Sequence, residues 1–230
     1  MEGRIDLNAD LGEGSESDDE LMRIVTSASI ACGGHAGDAV TMAAAVESAL
    51  AQGVRIGAHP SYPDRANFGR VSMYIDPQAL VDSLIAQVDA LSAIASDRDS
   101  SIAYIKPHGA LYNDALTSAQ IASVVAELAR RRPLPLMTMP ASAVTSVEGI
   151  EVILEGFADR AYSKEGMLMS RTVAGSVIRE PDVAAEQAVL LAGSVDSVCI
   201  HSDTPNAVKI ARVVRDRLAR EGFEVSASSQ

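Results

Sequence analysis

The sequence predicts a single-domain α/β protein, a deformed (β/α) barrel of the TIM-like kind with seven or eight mostly parallel strands. Three observations lead there. Short β-like runs alternate with amphipathic helical runs along the whole chain. The 230 residues hold seven or eight such units, somewhat less chain than the ~250 residues usual for this barrel. No composition shift, Ser/Gly linker or low-complexity run divides them, so residues 1–230 read as one domain. A doubly wound open sheet is the alternative arrangement of the same units.

The first strand is expected at 4–10 (RIDLNAD), where Asp6, Asn8 and Asp10 share one face and Ile5, Leu7 and Ala9 the other. The second, at 28–32, runs into IACGGHAGD, which places three glycines, His35 and Asp38 within six residues. TMAAAVESALAQ then reads as a helix that Asp38 can cap. Gly33, Gly34 and Gly37 permit close backbone approach, so free N–H groups at the helix start are expected to point into the barrel mouth and favour an anionic group.

A third strand at 54–59 closes on His59. Asp76-Pro77 supplies an N-cap and a first-turn proline for a helix over 77–95, where Leu80, Leu84, Val88, Leu91 and Ile94 recur at helical spacing. Strands at 102–108, 134–139, 151–156 and 197–202 follow, with a weaker one at 223–227. A helix over 205–221 is expected to start at Thr204-Pro205, carry Ala207, Ile210, Ala211, Val214 and Leu218 on one face, and stop at Glu221-Gly222. The connections 60–75 and 157–180 exceed the ~12–15 residues normal for a compact fold, and their charged and aromatic content marks them as parts of a site.

Composition narrows the function. A formal charge of −12 argues against nucleic acid, whose phosphates need clustered Lys and Arg, and against an anionic membrane surface. No apolar run approaches the ~20 residues of a membrane span, and the charged start MEGRIDLNAD does not read as a signal peptide. Cys32 and Cys199 form neither a CxxC nor a disulfide framework, so a cytoplasmic chain with reduced thiols is expected. There is no GxxxxGK[ST], and no GxGxxG follows a strand.

The four histidines, His35, His59, His108 and His201, each lie at or just after a predicted strand end, the edge where parallel α/β folds build their sites. Lys106 shares a face with His108, and Cys199, His201 and Asp203 share another. With Asp6, Asn8 and Asp10 they form a converging polar cluster.

The motifs DLNADLGEG (6–14), SIACGGHAGD (29–38), IGAHPSYPD (56–64) with FGR (68–70), KPHGALYN (106–113), FADRAY (157–162) and CIHSDTPNA (199–207) run in one order over nearly the whole chain and together resemble the LamB/YcsF family. Ser29, Val71 and Ser202 stand where that family usually has Asn, Arg and Gly. The resemblance implies a deformed (β/α) barrel that hydrolyses 5-oxo-L-proline to L-glutamate with ATP as co-substrate, in a complex with subunits B and C. A five-membered lactam is a poor electrophile, so phosphorylation is a sensible activation, and ATP handling by partners fits the missing nucleotide motif.

On that basis Asp10 or Asp6 is expected to take a proton from the attacking water, with His59 and His108 holding the water or protonating the leaving nitrogen. Lys106 and the glycine-loop N–H groups would stabilise the tetrahedral centre, and His35 joins the same catalytic group. Arg70 or Arg171 would pair with the substrate carboxylate, and Asn8, Gly33, Gly34, Gly37, Asp38, Asn113, His201 and Asp203 complete the substrate contacts. Two alternatives remain: a metal-dependent amide hydrolase or deacetylase with a divalent ion on Asp10, His59 and His108, and a binding subunit that is not itself catalytic.

Overall fold

The computed structural model describes residues 3–227. Strands β1 (Gly3–Leu11), β2 (Ser27–Ala31), β3 (Arg55–His59), β4 (Tyr104–Ile105), β5 (Leu136–Thr138), β6 (Val152–Phe157) and β7 (Ser197–His201) pair in parallel, each with the next. Because β7 also pairs with β1, the sheet closes into a seven-stranded barrel and is not the open alternative. The eighth strand, β8 (Phe223–Val225), pairs with Gly3–Ile5 of β1 and lies outside the ring.

The helices α1 (Asp18–Met22), α2 (Ala39–Gln52), α3 (Pro77–Ser96), α4 (Gly109–Thr117), α5 (Ala119–Arg131), α6 (Pro181–Ala192) and α7 (Ala207–Arg220) accompany the strands. Alternation along the strands decides what each layer holds. Ile5, Leu7, Ala9 and Leu11 join Ile30, Ile56, Ala58 and Ile105 in the main apolar cluster, together with the inner faces of the helices. Each large side chain buried there contributes about 1.5–3 kcal/mol. The opposite set, Asp6, Asn8 and Asp10, points into the barrel, where its partners are also polar.

Three expectations change. Strand 102–108 shrinks to two paired residues, since Pro107 has no N–H to continue a ladder. Its backbone still follows the neighbouring chain, with Lys106 N–H and His108 N–H donating to the carbonyls of Ala58 and Pro60 at 2.8 Å each. Helix α7 starts two residues later than expected, after Asn206 at φ +67°, because the Thr204 hydroxyl is taken by Asp159 at 2.5 Å. Finally, α3 has 20 residues and holds a window of mean hydropathy 1.4, which by length and composition is enough to cross a membrane, contrary to the expectation for this chain. Its Leu80, Leu84, Val88 and Leu91 are instead buried in the apolar cluster.

The glycine loop also differs from its expected role. Asp38 Oδ1 accepts from Val40 N at 3.0 Å and Thr41 N at 2.9 Å, while Thr41 Oγ1 accepts from Asp38 N at 2.8 Å. This capping box occupies the N–H groups foreseen as an anion site. Gly37, at φ +83°, lies so close to Ala31 that a Cβ would meet its carbonyl oxygen at 2.5 Å, and Gly34 packs against Ser61 and Gln87. Gly33, Gly34, Gly37 and Asp38 therefore shape and end a tight turn that delivers His35 inward. Asp38→Ala is expected to lower the midpoint of urea unfolding while leaving turnover unchanged.

Candidate active site

The barrel interior is a stack of polar levels that follows the strand register. At the lowest, Asp6 pairs across the ladder with Ser197. Its carboxylate accepts from Thr26 at 2.6 Å, Ser27 at 2.7 Å and Ser197 at 2.5 Å. Burial raises its pKa despite these donors. Asp6 is thus a structural floor and is not brought to the cleft. Asn8, one level up, spans Ser197 Oγ at 2.7 Å and Lys106 Nζ at 3.2 Å, and it too lies below the reach of a substrate.

Lys106 occupies the centre at 1% exposure. Its ammonium lies 2.8 Å from Asp10 Oδ1, 3.0 Å from Glu155 Oε2 and 3.1 Å from Cys199 Sγ. Burial disfavours the ammonium, but Asp10 outweighs that and holds its pKa well above the usual value. Burial likewise opposes the Asp10 carboxylate, and His59 and Lys106 together hold it well below 3.8. With its donors spent on these groups, Lys106 acts by keeping Asp10 charged and aimed, in place of the direct contact with a tetrahedral centre expected for it.

Above this level the histidines meet. His59 Nδ1 donates to the Lys106 carbonyl at 2.7 Å, and His108 Nε2 donates to the Phe68 carbonyl at 3.0 Å. Both acceptors are carbonyls, so these nitrogens carry the hydrogens. The remaining nitrogens, His59 Nε2 and His108 Nδ1, face each other at 3.0 Å. Glu13 Oε1 lies 3.3 Å from the His108 nitrogen and 3.8 Å from that of His59. It also accepts from His35 Nε2 at 2.9 Å, while the His35 ring stacks flat on His108 at 3.6 Å.

Burial pushes the His35 imidazole down to about 4 and lowers that of His108 as well. Burial acts on His59 in the same sense, but the Asp10 carboxylate 3.5 Å away outweighs it and raises the pKa. Burial opposes ionisation of Glu13, and the close approach of His108 together with a hydrogen bond from His35 overcomes it, holding the carboxyl far below its ordinary range.

These groups open into a cleft of about 570 Å³ whose lining includes Asp10, Glu13, His59, Lys106, His108 and His201. Both long connections border it, as their length and composition suggested: Arg70 comes from the first, and Arg160 and Met167–Thr172 from the second. Asn113 lines it from α4. Arg70 and Arg171 both bind Asp203, at 2.5 and 3.1 Å, so the two guanidiniums proposed for a substrate already share a carboxylate. Among the described residues, the Arg160 guanidinium donates only to the carbonyls of Ser176 and Met169. His201 donates from Nδ1 to Asp159 Oδ1 at 2.9 Å and stacks on Phe157.

Glu13, Glu155, Asp159 and Arg160 were missing from the sequence-derived set. Each left a trace. Glu13 stands between Gly12 and Gly14, both at positive φ. Glu155 interrupts an otherwise apolar strand, and Asp159-Arg160 follow a strand end as the histidines do.

Two outcomes are expected. Lys106→Met leaves Asp10 and Glu155 buried without their cation and is expected to lose about 3–5 kcal/mol in denaturant unfolding. For Asp159, burial opposes the carboxylate, but attraction to His201 and hydrogen bonds from His201 and Thr204 hold its folded pKa below 3.8. Its stabilisation is therefore complete above the unfolded value and lost as pH falls through the folded one. Asp159→Asn should melt lower than the parent at pH 7, with the gap narrowing as pH drops below about 4.

A model of the LamB/YcsF family matches residues 5–230. The 5-oxoprolinase A subunit from Cutibacterium acnes is 43% identical over 253 residues, covering 98% of this chain and 99% of that one. Its counterpart from Streptomyces avermitilis is 43% identical over 247 residues, covering 97% and 99%. Among solved structures, a lactam utilization protein from Thermus thermophilus superposes with a TM-score of 0.89 at 35% identity, over 98% of this chain and 100% of that one. A family 4 carbohydrate esterase from Streptomyces lividans shares the fold alone, with a TM-score of 0.59 at 14% identity over 99% and 93%. The match of sequence, fold and motif order along the chain places it in the LamB/YcsF family.

Proposed function

We propose that this chain opens the lactam ring of 5-oxo-L-proline to give L-glutamate, as the A subunit of an ATP-dependent 5-oxoprolinase working with subunits B and C. The relatives named as 5-oxoprolinase A subunits and the lactam utilization protein support the substrate class and the role within a complex. The observation that carries the catalytic part is the ionised Asp10, fixed by Lys106 at 2.8 Å, 3.5 Å from His59 on the wall of the cleft.

In this reading the complex activates the lactam oxygen with the phosphoryl group of ATP, and water adds to the ring carbon and gives up a proton to Asp10 on the cleft wall. The ring C–N bond then breaks, the nitrogen takes that proton to become the amine of glutamate, and hydrolysis of the resulting acyl phosphate releases phosphate. The N-terminus of α4 replaces the glycine loop as the source of positive potential. Its first residues Gly109 and Ala110 line the cleft, and His108 leaves that end without a side-chain cap. Arg160, to which no carboxylate among the described residues is hydrogen-bonded, suits the substrate carboxylate better than Arg70 or Arg171. ATP is assigned to the complex because the sequence carries no nucleotide-binding loop. The two buried, unpaired cysteines fit a reducing compartment such as the cytoplasm.

The test is glutamate release from 5-oxo-L-proline, with ATP, by this chain alone and by its mixture with subunits B and C. Turnover is expected in the mixture. Asp10→Asn is expected to lower kcat at least about 100-fold while complex formation persists. An unchanged rate removes Asp10 from catalysis. A loss confined to complex formation or substrate affinity favours a non-catalytic binding role, and no turnover with competent partners favours an amide hydrolase with another substrate.

A further inference from the structure

Three lone pairs converge at one point on the cleft wall. His59 and His108 each spend one ring nitrogen as a donor to a backbone carbonyl, so in their neutral forms His59 Nε2 and His108 Nδ1 present lone pairs to each other at 3.0 Å. Glu13 Oε1 closes the triangle at 3.3 and 3.8 Å. Among the described residues, no ammonium or guanidinium hydrogen-bonds to any of these three atoms. Three such groups repel one another unless something positive sits among them.

The spacing identifies its size. The circle through the three atoms has a radius of about 2.0 Å. That matches the 2.0–2.2 Å bonds that zinc makes to histidine nitrogen and carboxylate oxygen. Each of the three also has an outer partner that fixes its direction. The Lys106 carbonyl holds His59, the Phe68 carbonyl holds His108, and His35 Nε2 holds Glu13 at 2.9 Å. Histidine and carboxylate ligands of metal sites are oriented in this way.

We propose that Glu13, His59 and His108 form a binding site for one divalent ion of the zinc class, with His35 as the residue that positions Glu13. All three ligands line the cleft, so the ion's remaining coordination position opens onto it. The carboxylate differs from the one suggested by the sequence. Asp10 is committed to Lys106 at 2.8 Å, whereas the four ligand atoms of Glu13, His35, His59 and His108 all lie within 4.8 Å of one another. The other cluster of ligand-type residues, Asp10, Cys199 and His201, already holds a cation, because Lys106 Nζ contacts both Asp10 and Cys199. The site does not depend on the identity of the substrate.

Metal content tests it without any turnover assay. The full chain, purified without chelator and dialysed against zinc, is expected to retain about one ion per chain by elemental analysis. Cobalt(II) in the same site is expected to give the visible absorption of a low-coordinate ion with nitrogen and oxygen ligands. Glu13→Gln, His59→Gln and His108→Gln should each abolish stoichiometric retention while the far-ultraviolet circular dichroism stays that of the parent. Asp10→Asn should keep the ion. His35→Ala should weaken zinc about 10–100-fold in competition with a chelating dye, the size expected for loss of an outer partner. A folded parent chain that retains no stoichiometric zinc, cobalt or manganese overturns the proposal, and the two imidazoles then share a proton in place of an ion. Equal retention by Glu13→Gln and the parent overturns the ligand set.

Discussion

The interior of this barrel depends on one buried ammonium. Lys106 stands at the centre of the ring, nearly sealed from solvent, with Asp10 above it and Glu155 beside it. Removing these charges from water is costly, and only close mutual pairing offsets that cost. The pairing constrains the strands that carry it: β1 brings Asp10, β6 brings Glu155, β7 brings Cys199, and the chain after β4 brings Lys106 itself. Barrels of this class are usually filled with branched apolar residues. Here most of the apolar burial lies in the layer between strands and helices, with a smaller cluster of Tyr104, Met137 and Ile153 on the opposite strand faces, and the inside also carries charge.

The site follows from that division. Ladder partners set its levels: Asp6 opposite Ser197, Asn8 opposite Cys199, Asp10 opposite His201. Below the lysine the hydroxyl-lined Asp6 is wholly satisfied, and above it the histidines and Glu13 face the cleft. The loop after β3 returns across the mouth, where the Phe68 carbonyl fixes His108 and the Gly69 carbonyl receives Ala110 N–H at 2.9 Å. Phe68 and Gly69 both sit at positive φ to present these carbonyls inward. Asp203 ties that loop to the one after β6 through Arg70 and Arg171.

Much of the site was legible from residue type and position. Asp10, His59, Lys106, His108 and His201 lie at or just after strand ends, and all five line the cleft. Asp6 and Asn8 were read correctly as inward-facing, yet alternation does not say how far down a barrel a residue sits. The glycine loop misled in a different way. Its composition suggested an anion site, but Asp38 and Thr41 satisfy the helix start locally, and Arg65 takes the carbonyls of Gly33 and Gly37. Glu13 escaped notice because its flanking glycines look like an ordinary turn, and only three histidines from distant segments give its carboxylate meaning.

By itself the sequence determined the alternation of strands and helices, the segregation of polar and apolar faces on β1, the membership of the family and the edge at which function gathers. These depend on periodicity and local chemistry, which a linear chain displays directly. Tertiary structure decided the closure of the ring, the level each inward residue occupies and the partner each charge finds. Asp10 and Lys106 are 96 positions apart, and Asn8 and Glu155 are 147 apart. Those neighbours are set by the register of parallel strands around a closed barrel, a condition on all seven strands together that no local stretch of chain contains.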